Sequence, residues 1–333
     1  MMQRIMIQLM LVLFCSLTNF TASAESLADR AEVQSFIQHM REKHHFPEAE
    51  LQQWFSNAHF QPQIIEIMQR PYEAKPWHQY RELFVTEDRT QAGVDFWKKH
   101  AQDLQRAEAT YGVPPEIVVA IIGVETRYGK HQGTYKVMES LSSLAFAYPP
   151  RADFFKSELE QYLLLCREQQ FNPLELKGSY AGAMGLPQFI SSSYRHYAVD
   201  FAGHGHADLL TSPTDAIGSV ANYFKMHGWK KNQPVVFHAA VLGKDYSLLL
   251  ADRNNPKPTH PASTLQHYGI SFKERLPEGS LVALIELEQP YKPEYWLALD
   301  NFYVITRYNH SSLYAMAVYQ LSEKIKQRYH SRK

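Results

Sequence analysis

The sequence predicts a mainly α-helical protein of the α+β class, with a small β-rich lobe near its end. Three observations support this prediction. The run from Ile117 to Val124 contains no polar side chain, which is typical of a fully buried helix. Around it, residues 114–224 form an apolar centre punctuated by glycine. After Trp229, short β-prone runs appear between turns rich in proline and asparagine.

The individual elements follow from the same patterns, taken in chain order. Residues 27–68 and 86–111 alternate apolar and polar positions with helical spacing. In the centre we predict helices at 115–127, 136–147, 151–169, 188–197 and 213–227. Strand-like runs occupy 235–237 and 281–285, residues 302–308 are ambiguous, and a last helix covers 312–328. The predicted segments are 1–24, a signal peptide; 25–111, a helical N-terminal lobe; 112–230, the core; 231–300, a small β-rich inserted lobe; and 301–333, a return to the core with a C-terminal helix.

Residues 1–24 have the features of a secretory signal peptide. One arginine precedes a short apolar stretch, and small residues surround a cleavage site after Ala24. We therefore expect an exported, periplasmic protein, with membrane contact only if the N-terminus stays anchored. A lipoprotein anchor at Cys15 is disfavoured, because Phe14 stands where lipoprotein processing needs a small residue.

The charge balance excludes one class of partner. Lys+Arg and Asp+Glu are equal at 34 each, whereas a nucleic-acid-binding surface needs a basic excess. Aromatic residues make up 13% of the chain, which suits a core and also a saccharide groove. Once the signal peptide is removed, Cys166 is the remaining cysteine, and we expect it to be a buried core thiol.

Glu125 is the residue that says most about function. It directly follows the apolar run, so the helix should deliver its carboxyl to the end of a buried element. Burial disfavours the charged form, and a carboxyl that keeps its proton near neutral pH can act as a general acid in glycoside cleavage. The alternative interpretation is structural: an ion pair with Arg127 or with an arginine distant in the sequence, or simple exposure at the helix end.

Three further segments belong with Glu125. Residues 148–155 place Arg151 at the start of a predicted helix. Residues 178–189 hold three glycines and two alanines within eight positions, which favours close approach of the backbone to a neighbour or a ligand. Residues 307–311 form a polar run far along the chain.

With these motifs the chain resembles the B-type lytic murein transglycosylases. The resemblance extends from about residue 80 to residue 321. It is carried, in order, by residues 112–117, 121–127, 182–185, 197–201 and 215–224. Each motif alone is a weak signal, but the ordered set is specific.

The resemblance implies a lysozyme-like catalytic core at 112–230. It also implies cleavage of the β-1,4 bond between N-acetylmuramic acid and N-acetylglucosamine without water and without a cofactor, leaving 1,6-anhydro-muramyl ends. Glu125 matches the catalytic acid of the family. The matching substrate-binding positions are Ser179, Gln188, Tyr80, Arg151, Tyr308, Asn309 and Tyr314. Peptidoglycan glycan strands are therefore the expected partner, and other cell-wall enzymes are further candidates.

Some members of that family carry an EF-hand-like calcium loop at the position that begins here with Asp200. Asp215 could close such a loop, but Ala202 offers no side-chain oxygen and His204 offers a nitrogen. The spacing to Asp215 is also one residue too long. We therefore expect no metal site here, and interpret His204 and His206 as ordinary loop residues.

Two other functions remain compatible with the residues. A hydrolytic muramidase would need a second carboxylate to activate water, and Asp153 and Asp215 are the candidates. A non-catalytic scaffold would keep the groove and lose the chemistry, which the intact Glu125, Ser179 and Gln188 disfavour.

Overall fold

The computed structural model describes residues 26–69 and 75–331. The predicted signal peptide and Cys15 lie outside these residues. Within them the chain is mostly helical with a small antiparallel sheet, as the sequence predicts. The boundaries of the predicted segments stay a prediction.

The N-terminal part is a series of short amphipathic helices. They are α1 (Ala31–His44), α2 (Glu48–Asn57), α3 (Pro62–Met68), α4 (Trp77–Phe84), α5 (Glu87–Lys99) and α6 (Ala101–Tyr111). The single helical run predicted at 86–111 is divided in two, because His100 leaves the helical region at φ −116° and ψ 28°. The aromatic residues Phe36, Phe55 and Phe146 pack edge to face and join α1 and α2 to the centre of the molecule.

The centre holds the predicted core helices. They are α7 (Pro115–Thr126), α8 (Val137–Ala147), α9 (Ala152–Gln169), α10 (Ser191–Tyr197) and α11 (Pro213–Met226). The prediction of a helix from residue 188 is wrong by three residues. Gln188 has a left-handed φ of 50° and lies within a tight turn closed by the pairing of Met184 with Phe189. Helix α10 therefore begins only at Ser191. Cys166 is buried and free, as expected.

The strands form one small ladder and one sheet. The ladder pairs β1 (Tyr135–Lys136) with β2 (Lys177–Gly178). The five-stranded antiparallel sheet comprises β3 (Val236–Val241), β4 (His260–Pro261), β5 (Ile270–Ser271), β6 (Leu281–Leu287) and β7 (Glu294–Ala298), in the order β4-β6-β7-β3-β5. Strand β6 is buried on both faces: Leu284 lies in the small cluster of the sheet itself, and Ile285 lies in the main core. This explains why its sequence is apolar without alternation.

Two helices return the chain to the core. They are α12 (Asp300–Tyr308) and α13 (Ser312–Ser331). The ambiguous run at 302–308 is helical, because helical spacing buries Phe302, Ile305 and Thr306 together.

Helix α7 packs against α5, α6, α11 and α13. Each residue from Glu116 to Val124 is buried.

Within the described ranges, no single helix is long and apolar enough to cross a membrane. The pair α6 and α7, bent by 114°, has the length and composition of a broken span and no other feature of one. The apolar character of α7 follows from its burial in the protein.

The end of α7 depends on a slot for the ring of Tyr128. This residue has a left-handed φ of 62°, and its hydroxyl donates a hydrogen bond to the Arg89 carbonyl oxygen at 2.8 Å. The ring lies against Gly93 and Gly123, where an added Cβ would stand 2.5 Å from the Tyr128 hydroxyl oxygen. Glycine is therefore required at both positions.

We predict that Gly123→Ala lowers the free energy of unfolding by about 1–3 kcal/mol, the usual cost of overpacking a core. Chemical denaturation measures the loss. In the Tyr128→Leu background the same change should cost less, since the clashing hydroxyl is gone. An equal loss of stability in both backgrounds would show that contact with the Tyr128 ring is not the reason for glycine at position 123.

Candidate active site

Glu125 lies at the end of α7, one residue before its last residue Thr126, and is partly accessible to solvent. Within the described residues no lysine or arginine forms an ion pair with it, so the alternative of pairing with Arg127 is wrong. Burial raises the pKa of the Glu125 carboxyl to about 7, against a smaller lowering by its hydrogen bond with Tyr314. A carboxyl in this state is protonated in a large fraction of molecules at neutral pH.

Tyrosines surround this carboxyl. The Tyr314 hydroxyl, from α13, donates to Glu125 Oε1 at 2.5 Å. The Tyr308 ring stacks on the Tyr314 ring at a centroid distance of 6.4 Å and an angle of 11°, and its hydroxyl donates to the Pro187 carbonyl oxygen at 2.5 Å. The pKa of Tyr314 is raised mainly by burial, then by Glu125 and Tyr308. Tyr80, from α4, makes a smaller electrostatic contribution in the same direction. Tyr80 and Tyr314 are only 2% and 3% exposed, so they offer little surface to a substrate.

The neighbour of Glu125 fixes the end of the helix to the glycine-rich loop. Thr126 is fully buried, and its hydroxyl donates to the Leu186 carbonyl oxygen at 2.8 Å. The hydroxyl oxygen of Thr126 also accepts the Gly129 amide at 2.9 Å. Thr126 was not among the predicted site residues; a threonine at the end of an apolar helix was the available signal.

Ser179 organises the glycine-rich loop. Its hydroxyl oxygen accepts the backbone amides of Ala183 at 3.0 Å and Ala181 at 3.3 Å, and its own amide donates to the Ala183 carbonyl oxygen at 2.8 Å. Because the oxygen already serves two donors, the group that remains for a ligand is the hydroxyl hydrogen. Gly185 is required in this loop, since a Cβ would meet the Leu209 carbonyl oxygen at 2.2 Å and φ is 72°.

Gln188 is oriented by two backbone carbonyl groups. Its side-chain nitrogen donates to the carbonyl oxygens of Gln132 at 3.0 Å and Gly185 at 2.9 Å. Both amide hydrogens are thereby used, so the carbonyl oxygen Oε1 is the group left to accept a hydrogen bond.

A groove of about 560 Å³ brings together four of the predicted substrate-binding residues. They are Arg151, Gln188, Tyr308 and Asn309. Ala181 of the Ser179 loop also lines it. Its other lining residues, none of them among the predicted substrate-binding positions, include Phe154, Tyr223 and Arg307. The aromatic pair that follows Arg151 was a signal for the first of these.

One end of the groove is cationic. The pKa of His310 is lowered by burial and then by the charges of Arg307 and Arg151, which places both guanidinium groups close to it. Arg151 lies over the Phe154 ring at 4.3 Å. Arg307 lies over the Tyr303 ring at 4.2 Å, and its buried Nε has no hydrogen-bond partner among the described residues. This end can therefore bind an anionic group.

Neither candidate for a second carboxylate lines this groove. Asp153 is fully exposed, and its nearest ion-pair partner is Lys156 at 4.0 Å. Asp215 is fully buried, and its two oxygens accept the amides of Ala202 at 2.7 Å and Asp208 at 3.0 Å.

The loop that begins at Asp200 does not have the donor set of a calcium site. Both carboxylate oxygens of Asp200 accept backbone amides, those of Gly203, His204 and Gly205, at 2.7–2.9 Å. Ala202 has no side-chain oxygen and His204 offers a nitrogen at the alternating positions where calcium needs oxygen ligands, and Asp215 is fully buried with both oxygens accepting backbone amides. His206 is exposed. The residues do not fit calcium.

A helical core with a carboxyl of raised pKa, next to Tyr308 of a polar and aromatic groove, is typical of a polysaccharide-cleaving enzyme of the glycosidase type. Comparison with known proteins gives the family. The family described as Transglycosylase SLT domain matches residues 28–323. Membrane-bound lytic murein transglycosylase B of Escherichia coli K12 is 44% identical over 308 residues, which are 90% of this chain and 83% of that protein.

Solved structures agree. Lytic transglycosylase SltB1 of Pseudomonas aeruginosa is 47% identical, with a TM-score of 0.86 over 91% of this chain and 99% of that one. SltB3 of Pseudomonas aeruginosa, in complex with NAG-anhNAM-pentapeptide, is 31% identical, with a TM-score of 0.76 over 88% of this chain and 79% of that one. The chain therefore belongs to the lytic murein transglycosylases. It is an enzyme that cleaves peptidoglycan, built on the expected lysozyme-like fold. The roles of the individual site residues stay predictions.

We predict that Tyr314→Phe moves the alkaline limb of the activity profile to higher pH. The Tyr314 hydrogen bond lowers the pKa of Glu125. Its removal should raise that pKa above about 7 and keep the carboxyl protonated up to a higher pH. The measurement is kcat/KM against pH on purified peptidoglycan. Tyr319→Phe, on the same helix, is the control and should leave the limb in place. A shift of the Tyr314→Phe limb to lower pH would contradict this account.

For the loop at Asp200 we predict that excess Ca²⁺, added to metal-free protein, leaves Tm unchanged. Asp215→Asn should lower the free energy of unfolding by about 1–3 kcal/mol, because an amide nitrogen would face the backbone donors. Differential scanning calorimetry measures both. A clear rise in Tm with Ca²⁺ would show that the loop binds the ion.

Proposed function

We propose that Glu125 is the single general acid and base of this transglycosylase. The enzyme breaks the β-1,4 bond between N-acetylmuramic acid and N-acetylglucosamine and leaves a 1,6-anhydro-muramyl end without using water. The substrate's own acetamido group assists, as in the glycosidases that dispense with a second carboxylate.

The reaction begins with proton transfer from Glu125. The protonated carboxyl donates its proton to the glycosidic oxygen as the bond to the muramyl anomeric carbon breaks. A pKa of about 7 supports this step, since a substantial fraction of the carboxyls is still protonated at neutral pH and can release the proton readily. The Tyr314 hydroxyl then stabilises the carboxylate that is formed.

The second step returns the proton. Positive charge at the anomeric carbon is stabilised by the acetamido oxygen of the same sugar. The muramyl O6 hydroxyl attacks that carbon, and the Glu125 carboxylate takes the O6 proton. One carboxyl thus serves both steps, and the enzyme is regenerated in its protonated form.

Ser179 and Gln188 supply complementary groups for an acetamido substituent. Such a substituent has one acceptor, its carbonyl oxygen, and one donor, its N–H. Ser179 has a hydroxyl hydrogen left to donate, and Gln188 has a carbonyl oxygen left to accept. Together they would hold the acetamido group in line with the anomeric carbon, which lowers the entropic cost of its attack.

The observation that carries this mechanism over a hydrolytic muramidase is the position of the two other candidate carboxylates. Water activation needs a free carboxylate across the sugar from the acid. Asp153 points into solvent, and Asp215 is buried with both oxygens engaged. Neither is available to activate water in the groove.

The substrate follows from the groove and the relatives. SltB3 was solved with NAG-anhNAM-pentapeptide, which contains the sugar and stem-peptide elements of peptidoglycan. In this chain the guanidinium groups of Arg151 and Arg307 would bind substrate carboxylates. Tyr308 and Asn309 line the same groove, whereas Tyr80 and Tyr314 are buried and would act on Glu125 from the protein side. We place the enzyme in the periplasm on peptidoglycan strands, where other cell-wall enzymes are candidate partners.

Mass spectrometry of fragments released from purified peptidoglycan tests the proposal. We predict fragments lighter by one water than reducing muropeptides, as anhydro ends require. Glu125→Gln should lower the rate by at least about 100-fold while keeping the fold, because the change is nearly isosteric and removes only the transferable proton.

Asp153→Asn is the matched control and should release the same anhydro fragments at the same rate. Reducing ends that disappear in Asp153→Asn would establish the muramidase instead. Full activity of Glu125→Gln would exclude Glu125 as the acid.

A further inference from the structure

Three side chains with metal-binding groups converge at a point outside the catalytic groove. His39 and His44 belong to α1, and Glu160 belongs to α9. His39 Nε2 lies 2.8 Å from Glu160 Oε2, and His44 Nε2 lies 2.8 Å from Glu160 Oε1. One ligand atom from each residue falls within 4.8 Å of the other two.

We propose that His39, His44 and Glu160 bind a Zn²⁺ ion that cross-links α1 to α9. Two imidazole nitrogens and one carboxylate oxygen are a common protein ligand set for zinc. Tetrahedral bonds of about 2.0–2.2 Å place ligand atoms roughly 3.3 Å apart. This lies between the 2.8 Å that separates each histidine Nε2 from Glu160 and the 4.8 Å that bounds all three ligand atoms. The His39 side chain is 44% exposed, which leaves an open side for water as the fourth ligand.

The surroundings hold this arrangement in place. Arg167, two turns after Glu160 on α9, donates to the His44 carbonyl oxygen at 2.7 Å and lies over the Phe46 ring at 4.3 Å. His44 is the last residue of α1, and the left-handed His45 that follows ends the helix there. The backbone of the ligand-bearing end of α1 is therefore already fixed to α9 before any ion binds, which lowers the ordering cost of binding.

Lys43 supplies a discriminating test. Its Nζ lies 2.9 Å from Glu160 Oε1 and competes with a cation for that oxygen. If the cluster is only a set of ion pairs, removing Lys43 changes nothing about metal binding. If it is a zinc site, Lys43→Met should tighten binding, because the ion no longer has to displace an ammonium group.

The experiment is Zn²⁺ titration of the metal-free mature chain against a chromophoric chelator, with Tm measured in parallel. We expect one zinc per chain and a Tm that rises with Zn²⁺ concentration, as binding to the folded state alone requires. His39→Asn and Glu160→Gln should each weaken binding by at least about tenfold, equivalent to 1.4 kcal/mol, and Lys43→Met should strengthen it.

His206→Asn is the control, because that histidine lies in the other candidate loop and should not affect binding. The proposal is overturned if zinc affinity is unchanged in His39→Asn, if it depends on His206, or if Lys43→Met weakens it. His39 and Lys43 are both substantially exposed, so their variants test the site even if Glu160→Gln fails to fold.

Discussion

Helix α7 carries no polar side chain between Ile117 and Val124, so it must be covered by protein on every side. Four helices, α5, α6, α11 and α13, supply that cover. Their packing determines where the helix ends, and Glu125 stands at that end. The position of the acid is therefore a consequence of how the core is filled, and the groove residues are arranged around a point that the core has already fixed.

This placement has an energetic cost, which the proposed role of Glu125 as a general acid requires. The folded protein holds the Glu125 proton more tightly than the unfolded chain does, since its pKa rises from 4.5 to about 7. Below pH 4.5 the carboxyl is protonated in both states and burial does not lower the free energy of unfolding. As pH rises through about 7, ionisation of the buried carboxyl lowers that free energy. The Tyr314 hydrogen bond offsets part of that loss. Replacing the Glu125 carboxyl by a neutral group would make the protein more stable at alkaline pH, but it would remove the proposed general acid.

The sequence predicted most of the fold because periodicity and glycine or proline punctuation report local structure directly. It also placed Glu125 at the end of a buried helix, since a helix that is apolar on every face is stable only when protein covers it. It could not reveal that Tyr314 donates to Glu125 from 189 residues away, because that contact depends on tertiary packing. It likewise missed Thr126, whose hydroxyl joins the helix to the loop at Leu186, and the left-handed turn at Gln188 that delays the next helix.

The contact between Glu125 and Tyr314 also imposes an order of assembly. Residues 301–331 follow the rest of the described chain and are synthesised after it, yet they contribute one side of the groove and the tyrosine that is hydrogen-bonded to Glu125. A nascent or truncated chain that ends before α12 possesses the carboxyl but lacks Tyr308, Asn309 and Tyr314. Because domains acquire their long-range contacts only when all partners are present, the hydrogen bond between Tyr314 and Glu125 and this side of the groove form only after α12 and α13 have packed against the core.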